Sequence, residues 1–86
     1  MFIVVNQTAD YGIDELGRFA THDEAFKLIA ENIKYCYGFD LMSMYPFDDN
    51  NDSLRYKDDN IEVWAGDDWC TCHHRNFSDH YLIIEA

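Results

Sequence analysis

The sequence predicts a small α+β domain of two layers, an antiparallel sheet with one main helix packed on it, in the order ββαβββ. Three observations lead there. One capped stretch carries apolar residues at helical spacing, and the C-terminal third alternates with a period of two between turn signals. The chain has 86 residues, 48% of them hydrophobic and 16% aromatic, which is enough for one core and leaves no room for a second domain.

The elements follow in chain order. Phe2-Ile3-Val4-Val5 is a short continuous apolar run of the kind a central strand shows. It has neither a basic flank nor a small-residue cleavage site, so a signal peptide is not expected. Asp10-Tyr11-Gly12 through Leu16-Gly17 reads as turn-prone and leads into a short pairing strand at Arg18-Phe19-Ala20. Thr21-His22-Asp23-Glu24 is a capping box, in which the Thr21 hydroxyl accepts the Glu24 amide and the Glu24 carboxylate reaches back. Phe26, Ile29, Ala30, Ile33 and Tyr37 then form one apolar stripe, Asp23 and Glu24 suit the positive end of the helix dipole, and Gly38 supplies a left-handed stop. The helix is expected over about 22–36.

Residues 39–60 read as an acidic loop, within which Leu41-Met42-Ser43-Met44-Tyr45 suggests a strand or an extended lid, Tyr45 being held extended by Pro46. A loop of this length in a small domain implies a hidden element or a functional segment. From 61 to 85 the pattern is a three-stranded meander. Ile61, Val63 and Ala65 alternate with Glu62 and Trp64, Gly66-Asp67-Asp68 turns the chain into Trp69 to Arg75, and Asn76-Phe77-Ser78-Asp79 turns it into Tyr81 to Glu85.

Charge narrows the function. Seventeen acids stand against six Lys and Arg, a formal charge of -11. Direct binding to nucleic acid is not expected at that charge, and no segment approaches the roughly 18 apolar residues that cross a bilayer. Nine acids fall between Asp40 and Asp68 (Asp40, Asp48, Asp49, Asp52, Asp58, Asp59, Glu62, Asp67, Asp68) against Arg55 and Lys57. A compact chain of this size has a radius of gyration of about 12 Å and a diameter near 31 Å, and duplex DNA of that length carries about 18 phosphate charges. The net charge is more than half of that. The expectation is a non-enzymatic binding protein whose acids fit the cationic groove of a basic protein partner, one that itself binds nucleic acid. The expected partner-binding residues are Asp48, Asp49, Asp52, Asp58, Asp59, Asp67 and Asp68, with Tyr45, Tyr56 and Trp64 as aromatic anchors. Acidity that serves solubility alone is the competing explanation.

Cysteine and histidine supply the alternative. Cys36, Cys70 and Cys72 are an odd set, and Cys70 and Cys72 lie two apart on an expected strand, a spacing that strains a disulfide between them. A reducing cytoplasm fits. Cys70, Cys72 and His74 share one face of that strand and make up a candidate zinc-stabilising set, to which Cys36, His22 or His80 would add a ligand. The three span about 13 Å by strand rise, too far for one metal to reach them all, so two small buried cysteines are the simpler outcome. Asp48-x-Asn50-x-Asp52 opens like a calcium loop. It has Ser53 where that loop needs Gly, Arg55 where it needs an apolar residue, and a strand where a second helix belongs. No nucleophile motif is present, and Cys36 at the negative end of the helix and Cys70 after Asp67-Asp68 both lie where thiolate formation is opposed, so neither catalysis nor a cofactor is expected.

In size, charge and lack of catalytic motifs the chain resembles the small acidic inhibitors encoded by phages and mobile elements. These include anti-restriction, anti-CRISPR and uracil-glycosylase-inhibitor proteins, some of which imitate DNA. The likeness is one of bulk properties and assigns no residue a role. Two other readings stay open: the zinc-stabilised domain, and a plain subunit of a larger assembly.

Overall fold

A computed structural model describes residues 1–8, 12–44, 54–74 and 78–86. The expected helix forms as α1, His22–Tyr37. Thr21 Oγ1 accepts the Glu24 amide at 3.2 Å and donates to Glu24 Oε1 at 2.9 Å, and Gly38 closes the other end at φ 73°, its amide donating to the Lys34 carbonyl. The buried stripe of α1 is Ala25, Phe26, Ile29, Ala30 and Ile33.

Among the described residues six strands make one sheet: β1 (Phe2–Thr8), β2 (Gly12–Phe19), β3 (Leu54–Lys57), β4 (Ile61–Ala65), β5 (Trp69–His74) and β6 (Ser78–Glu85). Their spatial order is β2-β1-β6-β5-β4-β3 and every neighbour is antiparallel. The order ββαβββ therefore holds, with one further strand inserted after the helix. The strands at the two ends of the chain, β1 and β6, pair at the centre, and the Ala86 amide donates to the Met1 carbonyl at 2.9 Å.

The added strand, β3, lies in the stretch read as a loop. Leu54 and Tyr56 turn inward and Arg55 and Lys57 outward, an alternation only four residues long. Leu41–Met44, expected as a strand or extended lid, is instead a turn of 3₁₀ helix. Asp40 caps it through the Ser43 amide and hydroxyl, and Leu41 is fully buried. Strand β2 begins well before Arg18, over residues read as turn-prone. A bulge between Val4 and Val5 absorbs Leu16, and an edge strand tolerates the glycines and charges that obscured it.

One face of the sheet meets α1. Val4, Val63, Ala65, Cys70, Cys72, Tyr81 and Ile83 form the core with the helix stripe, and Phe39 and Leu41 close one side. The result is a slab of 37 × 34 × 19 Å with a radius of gyration of 12.3 Å. No helix among the described residues is long and apolar enough to cross a membrane.

Candidate functional site

The strand period that buries Val4, Val63, Cys70 and Tyr81 under α1 turns their neighbours to the opposite face, where no described element covers them. Ile3 on β1, Leu82 and Ile84 on β6, and Trp64 and Trp69 on β4 and β5 all point this way, around Val5, which their packing leaves buried. Ile84 is 47% exposed and Ile13, on β2, 67%. Trp64 is held between Arg55, whose guanidinium carbon sits 5.6 Å from the ring centre, and His73, packed edge-on at 5.3 Å. The Trp69 indole lies over Gly66, where an added Cβ would fall 2.9 Å from its Cε2.

At the end of this face where β1 runs out is an open recess of about 310 Å³ lined by Gln7, Thr71, His73, Ser78 and His80, with Thr8 and Asp79. Thr71 Oγ1 and His80 Nδ1 are 2.6 Å apart. A hydroxyl beside an imidazole is the start of a nucleophile–base pair, which needs a third group to orient the base. Asp79 does not serve, because its carboxylate is engaged by Tyr37 Oη at 2.6 Å and Asn6 Nδ2 at 3.4 Å. Burial, and after it that bond, pushes the Tyr37 phenol far above its ordinary range.

The acids lie elsewhere. Asp48, Asp49, Asp52 and Tyr45 fall outside the described residues, as does most of the calcium-like run. Asp58 and Asp59 sit in the β3–β4 turn and Asp67 and Asp68 in the β4–β5 turn, at opposite ends of β4, so the fold separates them by more than about 13 Å of strand rise. Asp58 is occupied in holding its own turn. Its Oδ1 accepts the amides of Asn60 at 2.7 Å and Ile61 at 2.9 Å, which keeps the carboxyl below its ordinary range. Asp67 and Asp68 join Asp23 and Glu24 at the start of α1. His22 Nε2 donates to the Asp67 carbonyl at 2.6 Å and lies 3.4 Å from Asp68 Oδ1.

Of the three aromatic anchors, Trp64 faces outward, whereas Tyr56 turns to the core side and packs on Phe39 with ring centres 4.8 Å apart. Cys70 and Cys72 are fully buried in the core with their sulfurs 3.9 Å apart, and their mutual contact and burial push the Cys70 thiol far up. His74 shares their side of β5 but stands exposed at its end. Among the described residues no three His, Cys, Asp or Glu side chains are grouped to hold a metal. The three cysteines are free thiols, and Cys36 is exposed, its thiol raised chiefly by desolvation and by Asp79.

Sequence reasoning missed the uncovered face. Its signal was available: Phe2 to Val5 and Tyr81 to Ile84 are apolar at both strand parities, yet one helix covers only one face. Comparison with protein-family models, curated proteins and solved structures returns no match.

Proposed function

We propose that this chain is a small non-enzymatic binding protein of the cytoplasm, whose acidic surface docks on a basic protein partner of the kind that itself binds nucleic acid. One observation carries the reading: the charge is segregated by face. Asp10, Asp48, Asp49 and Asp52 aside, only Glu15 and Glu62 of the remaining thirteen acids lie on the uncovered face. Asp23, Glu24, Asp40, Asp58, Asp59, Asp67 and Asp68 lie in turns or in the first turn of the helix. Acids held in the turns at both ends of the strands present a cationic groove with separated clusters of charge, on a body whose longest dimension, 37 Å, is similar to a turn of duplex DNA. Some of the small acidic phage and mobile-element inhibitors that the chain resembles in bulk properties imitate DNA in this way.

The test is affinity capture from bacterial lysate, washed in salt steps and repeated with competing duplex DNA. Two variants accompany it, Asp23→Asn/Asp67→Asn/Asp68→Asn at one end and Asp48→Asn/Asp49→Asn/Asp52→Asn/Asp59→Asn elsewhere, both sparing Asp58. The expected result is a basic protein released by salt and displaced by DNA, with capture weakened and its salt dependence flattened in at least one variant. Capture indifferent to salt, DNA and both variants would refute it.

A further inference from the structure

We infer that the uncovered face of the sheet is where two copies of this chain pair, face to face, as a two-fold dimer. Neither edge of the sheet invites a partner. Strand β3 is four residues long and carries Arg55 and Lys57, while β2 has a bulge and carries Asp14, Glu15 and Arg18, so both edges are built against strand-to-strand growth. The face between them is not. Ile3, Leu82, Trp64 and Trp69, half-buried, and the exposed Ile84 form an apolar and aromatic surface across the middle strands around the buried Val5, of the composition that interface centres favour.

Charge selects the occupant. Two copies at -11 each repel through nearly any approach. On this face the described charges are Glu15 and Glu62 against Arg18, Arg55 and Lys57, and they are already matched: Arg18 Nη2 lies 3.0 Å from Glu15 Oε1, and Arg55 Nη2 lies 3.8 Å from Glu62 Oε2. Three of the five described basic residues are gathered where only two of the thirteen described acids are. It is therefore the surface on which a second highly acidic chain meets the least repulsion, and the one least suited to a cationic partner. A two-fold axis along the strands lays β2 over the partner's β3, so that Glu15 falls on the side bearing Arg55 and Lys57.

The area is adequate. Six strands spaced by about 4.8 Å, averaging about six residues with a rise of about 3.3 Å, give a face of roughly 600 Å² in projection. Two such faces bury about 1,200 Å², at the lower end of specific interfaces, which implies a dimer that dissociates on dilution.

Sedimentation equilibrium of the whole chain over a concentration series tests this. The expected mass rises from 10.2 kDa toward twice that value, and more readily at higher salt as the repulsion is screened. The double variant Ile13→Lys/Ile84→Lys changes two exposed side chains of the face and should stay at the monomer mass, whereas Tyr35→Lys, 92% exposed on the helix, should dimerise as the parent does. A check independent of variant folding is nuclear magnetic resonance of the unaltered chain. The Trp64 and Trp69 indole signals should shift with concentration while the amides of α1 do not. A monomer at every concentration and salt, or a dimer broken by Tyr35→Lys and untouched by the face variant, would overturn the inference. So would indole signals that are independent of concentration.

Discussion

Replacing Tyr37 by Phe deletes one hydroxyl that ties the end of α1 to the sheet. The Tyr37 Oη donates to Asp79 Oδ2 at 2.6 Å in part-buried surroundings. Asn6 Nδ2 reaches the other carboxylate oxygen at 3.4 Å, too long to take over, and Asn6 Oδ1 has no partner among the described residues. A hydrogen bond to a charged group contributes about 1.5–3 kcal/mol when well shielded. Water reaches this one in part, so the low end applies, about 1–2 kcal/mol. In a domain of 60–100 residues each kcal/mol moves Tm by about 4–8 °C, which gives a loss of about 4–16 °C for Tyr37→Phe. Urea unfolding of a Tyr37→Phe and Asp79→Ala double-mutant cycle, followed by tryptophan fluorescence, should return a coupling near 1 kcal/mol or above. The pH dependence has a fixed sign. Folding raises the Tyr37 pKa above its ordinary 10.0, so the stabilisation is whole below pH 10 and shrinks as the pH rises beyond it. The gap between the parent chain and Tyr37→Phe should thus be equal at pH 6 and pH 8 and should narrow in alkali. A variant within about 0.3 kcal/mol of the parent, or additive single effects in the cycle, would refute this account of the helix anchor.

Tyr81 and Cys70 are raised in the same direction as Tyr37, chiefly by burial for Tyr81 and by the contact with Cys72 for Cys70, so the fold should lose stability in alkali. In an ultraviolet titration of the six tyrosines, Tyr37 and Tyr81 should ionise only as the chain unfolds, and ordinary titration of all six in the folded state would contradict it. Asp58, whose pKa folding lowers, acts in the opposite sense: its hold on the β3–β4 turn is complete above the ordinary carboxylate value of 3.8 and is lost as the pH falls through the folded pKa. Asp58→Ala should accordingly speed hydrogen exchange at the Asn60 and Ile61 amides at neutral pH, and unchanged protection would show that the turn holds without it. A thiol reagent should modify Cys36 in the folded chain and reach Cys70 and Cys72 only on unfolding; three equally fast thiols would be incompatible with the buried pair.

What the sequence disclosed follows the range of the forces involved. The helix was legible to within a residue because its signals are local: Thr21 and Glu24 cap it, Gly38 ends it, and the stripe between them has one period. The meander was legible for the same reason, since Ile61, Val63 and Ala65 alternate within one strand, but β6 begins at Ser78, inside the stretch read as the turn Asn76-Phe77-Ser78-Asp79, of which Asn76 and Phe77 lie outside the described residues. Strand β3 was hidden because four residues give only two inward positions, and a charged stretch precedes them. Strand β2 was hidden because its glycines and charges suit an edge, and nothing local distinguishes an edge strand from a turn. The pairing of β1 with β6 joins residues as far apart as Phe2 and Glu85, and no local pattern encodes it. The acids illustrate the limit for function. Their number was plain, yet Asp58 and Asp67 sit in successive turns, and a hairpin sends successive turns to opposite ends of a sheet. Nearness in sequence therefore became separation in space.

One feature of the slab underlies both proposals. Central strands apolar on both parities ask for cover on both faces, and the described residues include one substantial helix with which to provide it. A protein with a free apolar face in water needs either enough charge nearby to keep it from sticking, or a mate. Here most of the described acids lie away from that face and the charges on it are paired, which blunts the first remedy and lowers the obstacle to the second. Face-to-face pairing would place both α1 helices outward and double the acid-bearing ends while leaving each end open to a partner. A cationic protein with two equivalent grooves would then be engaged twice, and the second contact would draw on effective concentration without requiring a further interface. The same geometry makes the proposals separable. Ile13→Lys/Ile84→Lys acts on pairing and spares the acids, whereas Asp67→Asn/Asp68→Asn acts on the acids and spares the face. Capture that falls with the first and keeps its salt dependence belongs to a bivalent dimer, and capture that ignores the first but follows the second belongs to a single slab acting alone.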